Sequence, residues 1–138
     1  MKELVIKFKS EMESIVNLRN MITSLVVNKN QTLNFMNELK TIVSEAVTNA
    51  IIHAYDAKDD EDIMIKVATD QNGIYLEITD FGKGIKDIEE AREVLFSTKK
   101  DEERSGLGFT ILELFSTNFE ISSVINEGTT LSIYKEWE

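Results

Sequence analysis

Apolar and polar residues alternate from the start of the chain. Leu4, Ile6 and Phe8 interleave with Lys7 and Lys9, the period of a strand with one buried face whose lysines discourage uncontrolled edge pairing. Over 12–27 the period lengthens to that of a helix, carried by Met12, Ile15, Val16, Leu18, Ile22, Leu25 and Val26. Ser10 stands as its expected N-cap, and Arg19 falls toward its wetter side. From Asn34 to His53 a second stripe of Phe35, Leu39, Ile42, Val43, Ala46, Val47, Ala50 and Ile51 gives the longest helical signal.

After a charged turn over 56–62, two alternating runs follow, Ile63, Ile65 and Val67, then Ile74, Leu76 and Ile78. Asn72-Gly73 between them reads as a hairpin turn. A glycine-rich loop, Asp80 to Gly84, leads to an expected short helix over 88–95. The stretch 96–105 carries many charges and few apolar residues, the pattern of a surface loop or lid. Phe109, Ile111, Leu112 and Phe115 then mark a helix over 108–116, and strands over 119–125 and 130–134 close the chain around Glu127-Gly128.

At 138 residues, with no proline, internal repeat or low-complexity linker, the pattern fits one domain over 1–138. The absence of cysteine excludes disulfides, thiolate metal sites and cysteine nucleophiles. No apolar run reaches the roughly 18 residues of a membrane span, and Met-Lys-Glu-Leu does not open a signal peptide, so a cytoplasmic protein with no membrane partner is expected. Lys and Arg number 15 against 25 Asp and Glu; the net charge of -10 opposes direct nucleic-acid binding. A small anionic ligand remains compatible, because backbone amides, a divalent metal and one or two local cations act at short range.

Three constellations carry candidate chemistry. Glu45 and Asn49 share a helix face, with His53 one turn further on. They suit a carboxylate that takes a hydroxyl proton beside an amide oxygen that coordinates Mg2+ on ATP phosphates, or else a solvated helix face. Asp80-Phe-Gly-Lys-Gly84 puts a carboxylate at a strand end, able to accept from an exocyclic amine, with glycines that let backbone approach a flat base; an ordinary turn is the alternative. Arg104-Ser-Gly-Leu-Gly108 precedes a helix, where amides and the helix dipole hold phosphates and Arg104 reaches the terminal one, or where the glycines form a plain N-cap. It is neither a Walker A loop nor a Rossmann fingerprint. His53, without a placed triad partner, is assigned a helix-terminal or packing role.

In this order, Glu45-Ala-Val-Thr-Asn49-Ala-Ile-Ile-His53, Asp80-Phe-Gly-Lys-Gly84 and Gly106-Leu-Gly108 resemble the N, G1 and G2 boxes of the GHKL ATPase and kinase superfamily. The opening strand and helix, Phe96-Ser-Thr-Lys and Glu103-Arg-Ser-Gly are similar to its sporulation anti-sigma branch of serine kinases. The resemblance implies an α/β fold in the form of an α+β two-layer sandwich, the Bergerat type, with a mixed, mostly antiparallel sheet covered on one face by helices. It implies Glu45 as general base, Asn49 as Mg2+ ligand, and Asp80, Gly82 and Gly84 around adenine. Arg104, Ser105, Gly106, Leu107 and Gly108 would hold phosphates, with Arg104 also acting on the transferred group. Ser97, Thr98 and Lys99, in a lid over 93–107, offer hydroxyls and a cation either to the nucleotide phosphates or simply to solvent.

Thr129 matches a position that supports the adenine carboxylate, and Arg19 one that contacts a partner. Residues 1–28 would form a dimer or partner surface. The implied function is an anti-sigma factor that binds and inhibits an RNA polymerase sigma factor, uses ATP with Mg2+ to phosphorylate a serine on an anti-anti-sigma factor, releases ADP and acts as a homodimer. Two alternatives stand beside it: a nucleotide-gated binding module without phosphotransfer, and a histidine-kinase-like catalytic domain.

Overall fold

A computed structural model of the chain describes residues 2–89 and 107–138. The opening strand β1 (Lys2–Lys9) pairs antiparallel with β2 (Asp62–Thr69), so that Leu4 faces Val67, Ile6 faces Ile65 and Phe8 faces Ile63. The alternation that marks each strand thus puts both apolar sets on one side of the sheet. β2 turns back into β3 (Gly73–Asp80), which pairs with β5 (Gly128–Glu136), and β4 (Asn118–Val124) pairs with β5 at the far edge. The order is β1-β2-β3-β5-β4, and every pairing is antiparallel, which narrows the mixed, mostly antiparallel sheet that was expected.

Among the described residues three helices cover the apolar side: α1 (Glu13–Val26), α2 (Leu33–Asn49) and α3 (Leu107–Phe115), with α2 between the other two. Their stripes, including Leu18, Ile22, Phe35, Leu39, Ile42, Val43 and Leu112, join Ile63, Ile65, Ile74, Leu76, Ile78 and Ile133 in one core. The expected order of elements therefore stands wherever the structure describes it. The short helix over 88–95 lies outside the described residues apart from Ile88 and Glu89, and the lid over 93–107 apart from Leu107.

Two local expectations change. Ser10 does not cap α1; Met12 holds that position, without a side-chain bond. The Ser10 hydroxyl is buried instead, donating to the Lys58 carbonyl at 2.6 Å and accepting from the Glu61 amide at 3.2 Å. Those partners lie about fifty residues away in sequence, so a local reading could not find them. The β2–β3 turn is residues 70–72 rather than a two-residue Asn72-Gly73 turn, because Asp70 Oδ1 accepts from the amides of Asn72 and Gly73 at 2.8 and 2.9 Å. Gly73 opens β3, where a Cβ would lie 2.4 Å from the Lys135 carbonyl oxygen. Its glycine answers to close packing, not to turn dihedrals.

α2 is capped by Thr32, whose Oγ1 accepts from the Phe35 amide at 3.0 Å and also meets Glu138 Oε1 at 2.5 Å. One turn on, Glu38 pairs with Lys135 of β5 at 2.7 Å. That buried ammonium also donates to the Phe115 carbonyl at 2.7 Å, at the end of α3, and lies 4.9 Å over the Phe35 ring. One cation thereby ties α2, α3 and the sheet together.

Candidate functional site

At its other end α2 stops being α-helical. Residues Ala50–Ala54 form a π-turn, closed by the Tyr55 amide on the Ala50 carbonyl at 3.2 Å. Asp56 and Ala57 follow with φ of 52° and 65°, left-handed conformations that non-glycine residues seldom adopt. The widened turn brings the Ala54 carbonyl against the glycine loop. A Cβ on Gly82 would meet that oxygen at 2.6 Å, and one on Gly84, at φ 75°, would meet the Val124 carbonyl at 2.3 Å. Both glycines are therefore required by backbone approach.

Between the α2 end, the glycine loop, the first turn of α3 and β5 lies a cavity of about 250 Å³. Asn49 and His53 line one wall, Asp80, Lys83 and Gly84 another, and Phe109 and Thr129 complete it, with Ala46, Ala50, Ala54, Ile78, Ile85 and Leu131 between them. Asn49 is 8% exposed and its Nδ2 has no hydrogen-bond partner among the described residues. A buried, unpaired amide is costly, and its place on a cavity wall gives that cost a use.

Asp80 is buried at the end of β3, and its Oδ1 accepts from the Gly82 amide at 3.0 Å and the Thr129 amide at 3.3 Å. Burial raises its pKa above the ordinary 3.8, and the two amide bonds offset part of that rise. Thr129 supports the carboxylate through its backbone. Its hydroxyl bonds to Ser123 Oγ at 2.8 Å, and Ser123 Oγ also accepts from the Ile85 amide at 2.7 Å. This seam fixes the far end of the glycine loop to the β4–β5 hairpin.

Of the residues singled out in the sequence, the fold thus brings together Asn49, Asp80, Gly84 and Thr129 around one cavity, with Gly82 packed on its rim. Glu45 is half-buried one turn before Asn49, next to the cavity rather than in its lining. The backbones of Leu107 and Gly108 open α3. Ser97, Thr98, Lys99, Arg104, Ser105 and Gly106 lie outside the described residues. Arg19 is half-buried on α1, away from the cavity, and its Nε has no partner among the described residues.

Sequence reasoning missed Lys83, Ile85 and Phe109; His53, given a helix-terminal or packing role, lies in the π-turn that ends α2 and also lines the cavity. One signal was available. Ala46, Ala50 and Ala54 recur every four residues beside the Glu45-Asn49-His53 row, and small side chains along one helix line leave room for a ligand. Among the described residues no group of three His, Asp or Glu is arranged to hold a metal, and no helix is long and apolar enough to cross a membrane.

Comparison with known proteins agrees with this geometry. The model of the histidine kinase-like ATPase domain matches residues 8–135. The chain is 42% identical over 133 residues to the anti-sigma F factor of Anoxybacillus flavithermus, covering 96% of this chain and 91% of that one. It is 40% identical over 133 residues to the anti-sigma F factor of Bacillus subtilis, with the same coverage. Among solved structures, the RsbU and RsbW domains of a Mycobacterium tuberculosis protein superpose with a TM-score of 0.68 at 17% identity, over 99% of this chain and 33% of that chain. That last likeness is one of fold.

Proposed function

The chain belongs to the histidine kinase-like ATPase domain family, and from that premise we propose that it is an ATP-dependent anti-sigma factor and protein serine kinase. The observation that carries the reading is one cavity with a buried, partly satisfied carboxylate on one wall and, on the other, a buried amide whose Nδ2 has no partner among the described residues. The relatives at about 40% identity are anti-sigma F factors, which supports a sigma factor as binding partner; an anti-anti-sigma factor as protein substrate is part of the same proposal.

The residues fit a nucleotide. Asp80 presents a carboxylate with Oδ1 held by two amides, and a carboxylate oxygen there would accept from an adenine amine, while Gly82 and Gly84 leave the loop backbone bare for a flat base. The Asn49 side-chain oxygen suits Mg2+, an ion that takes one or two protein oxygens and fills the rest of its shell with phosphate and water. Bound Mg-ATP supplies the phosphoryl group. Glu45, one turn before Asn49, takes the proton from the incoming serine hydroxyl, which makes that oxygen nucleophilic. The start of α3, with Leu107 and Gly108, offers amides to phosphate; the same reading gives Arg104, Ser105 and Gly106 a phosphate-binding role and Ser97, Thr98 and Lys99 a nucleotide-binding one, all six outside the described residues.

A homodimer belongs to the same reading. Among the described residues the outer edge of β1 is unpaired in the sheet, and Leu4 and Val5 on β1 and Met12 and Val16 at and in α1 are exposed apolar side chains; Arg19 on α1 is assigned to partner contact. The test is phosphoserine formation on an anti-anti-sigma protein by purified chain with Mg-ATP, with sedimentation of the same preparation at micromolar concentration. A dimer that forms phosphoserine is expected, and Glu45→Ala lowers the rate about 10²- to 10⁴-fold. ATP-dependent partner capture without transfer makes the chain a nucleotide-gated binding module instead, and a monomer removes the dimer.

A further inference from the structure

The β2–β3 ladder ends at Ile63 opposite Asp80. The next pair in register is Asp62 with Phe81, yet the Phe81 amide does not bond to the Asp62 carbonyl. The Tyr55 hydroxyl stands between them, accepting from the Phe81 N–H at 2.6 Å and donating to the Asp62 carbonyl at 2.5 Å. Tyr55 is 5% exposed and follows the π-turn directly. One phenol oxygen thus replaces a ladder bond with a relay, holding the two strands apart where the glycine loop leaves the sheet.

The loop has no apolar anchor of its own at this point, since the Phe81 side chain is 52% exposed. Its far end is fastened by the Asn126 amide on the Lys83 carbonyl at 2.8 Å and by the Ile85 amide on Ser123. Its near end is held by the Gly82 amide on Asp80 Oδ1 and by Tyr55, whose hydroxyl ties it to the end of the helix that carries Asn49, beside the Gly82–Ala54 packing and an exposed Lys83–Asp56 ion pair at 3.4 Å.

We propose that Tyr55 is a positioning residue for nucleotide binding, a hydroxyl wedge that sets the glycine loop and Asp80 at a fixed distance from the α2 wall of the cavity. The inference rests on the reading of the cavity as a nucleotide site. Without the hydroxyl, Phe81 and Asp62 either close directly, lengthening the ladder by one pair and drawing the loop away from α2, or leave an amide unpaired and the loop loose. Either change displaces the base-binding side and leaves the phosphate end alone.

Tyr55→Phe tests it, because the ring keeps its packing and only the hydroxyl goes. Ser10→Ala is the control: it also removes two hydrogen bonds that fasten the 56–62 connection, but touches neither the loop nor the cavity. Affinities for ATP, ADP and adenosine are measured by titration calorimetry, alongside amide NMR spectra of the unliganded proteins. Tyr55→Phe is expected to weaken all three ligands by the same factor, about three- to tenfold, and to move the Phe81 and Gly82 signals. Ser10→Ala is expected to do neither. Tyr55→Phe affinities within twofold of wild type, a loss confined to ATP, an equal loss in Ser10→Ala, or unmoved Phe81 and Gly82 signals would each overturn the proposal. A wild-type chain that binds no nucleotide defeats the proposed function instead, and the NMR comparison still decides whether the wedge exists.

Discussion

The two ends of α2 are built on opposite terms. Its first turns are secured: Thr32 caps the backbone, the Phe35 ring packs at a tilt with its centroid 5.7 Å from that of Trp137, and Glu38 pairs with a buried Lys135. Its last turns widen into a π-turn, leave Asn49 Nδ2 without a bond among the described residues, and hand over to two left-handed non-glycine residues. Satisfied contacts at one end stabilise the helix so that the other can hold strained, unsatisfied groups toward a cavity. Strain and unpaired polar atoms gather where a ligand is to be met.

The sharpest way to separate the ends is Asp80→Asn, on the wall that the cavity end of α2 faces. The amide oxygen still accepts from Gly82 and Thr129, but the charge is lost and an NH₂ group meets the ligand amine. ATP affinity is expected to fall about ten- to hundredfold by calorimetry while the fold persists. An unchanged affinity would mean that Asp80 does not read the ligand. At the secured end, Lys135→Met keeps the aliphatic stem but removes its bonds to Glu38 and Phe115. A loss of about 1–3 kcal/mol in urea unfolding is expected, with nucleotide affinity retained. Equal losses of stability and affinity would show the two ends to be coupled.

The smallest effect is in pH dependence. Burial raises the Asp80 pKa above 3.8, so the folded protein binds that proton more readily than the unfolded chain. Its contribution to stability is full below 3.8 and is lost as pH rises from there through the raised folded value. Asp80→Asn removes that slope. The unliganded variant is therefore expected to gain stability relative to wild type as pH rises above 3.8, measured by urea unfolding at a series of pH values. A constant difference across the series would remove burial as the dominant influence on this carboxyl.

By itself the sequence determined the elements and their inward faces, because the periods of two and 3.6 survive in any tertiary context; Phe35, Leu39 and Ile42 are buried as read, and Ile6 and Phe8 pack against the same core, while Leu4 on the edge strand stays 38% exposed. It also determined which polar residues break those patterns, and hence Glu45, Asn49 and Asp80. Where long-range contacts decide, it was silent or misleading. Ser10 looks like a cap but bonds to residues 58 and 61, Gly73 looks like a turn residue but answers to Lys135, and Tyr55, which no sequence pattern marks, inserts its hydroxyl between two strand ends. The cavity itself belongs to this second kind. Its walls come from α2, the glycine loop, α3 and β5, and only their packing sets the distance across which Asn49 and Asp80 face one another.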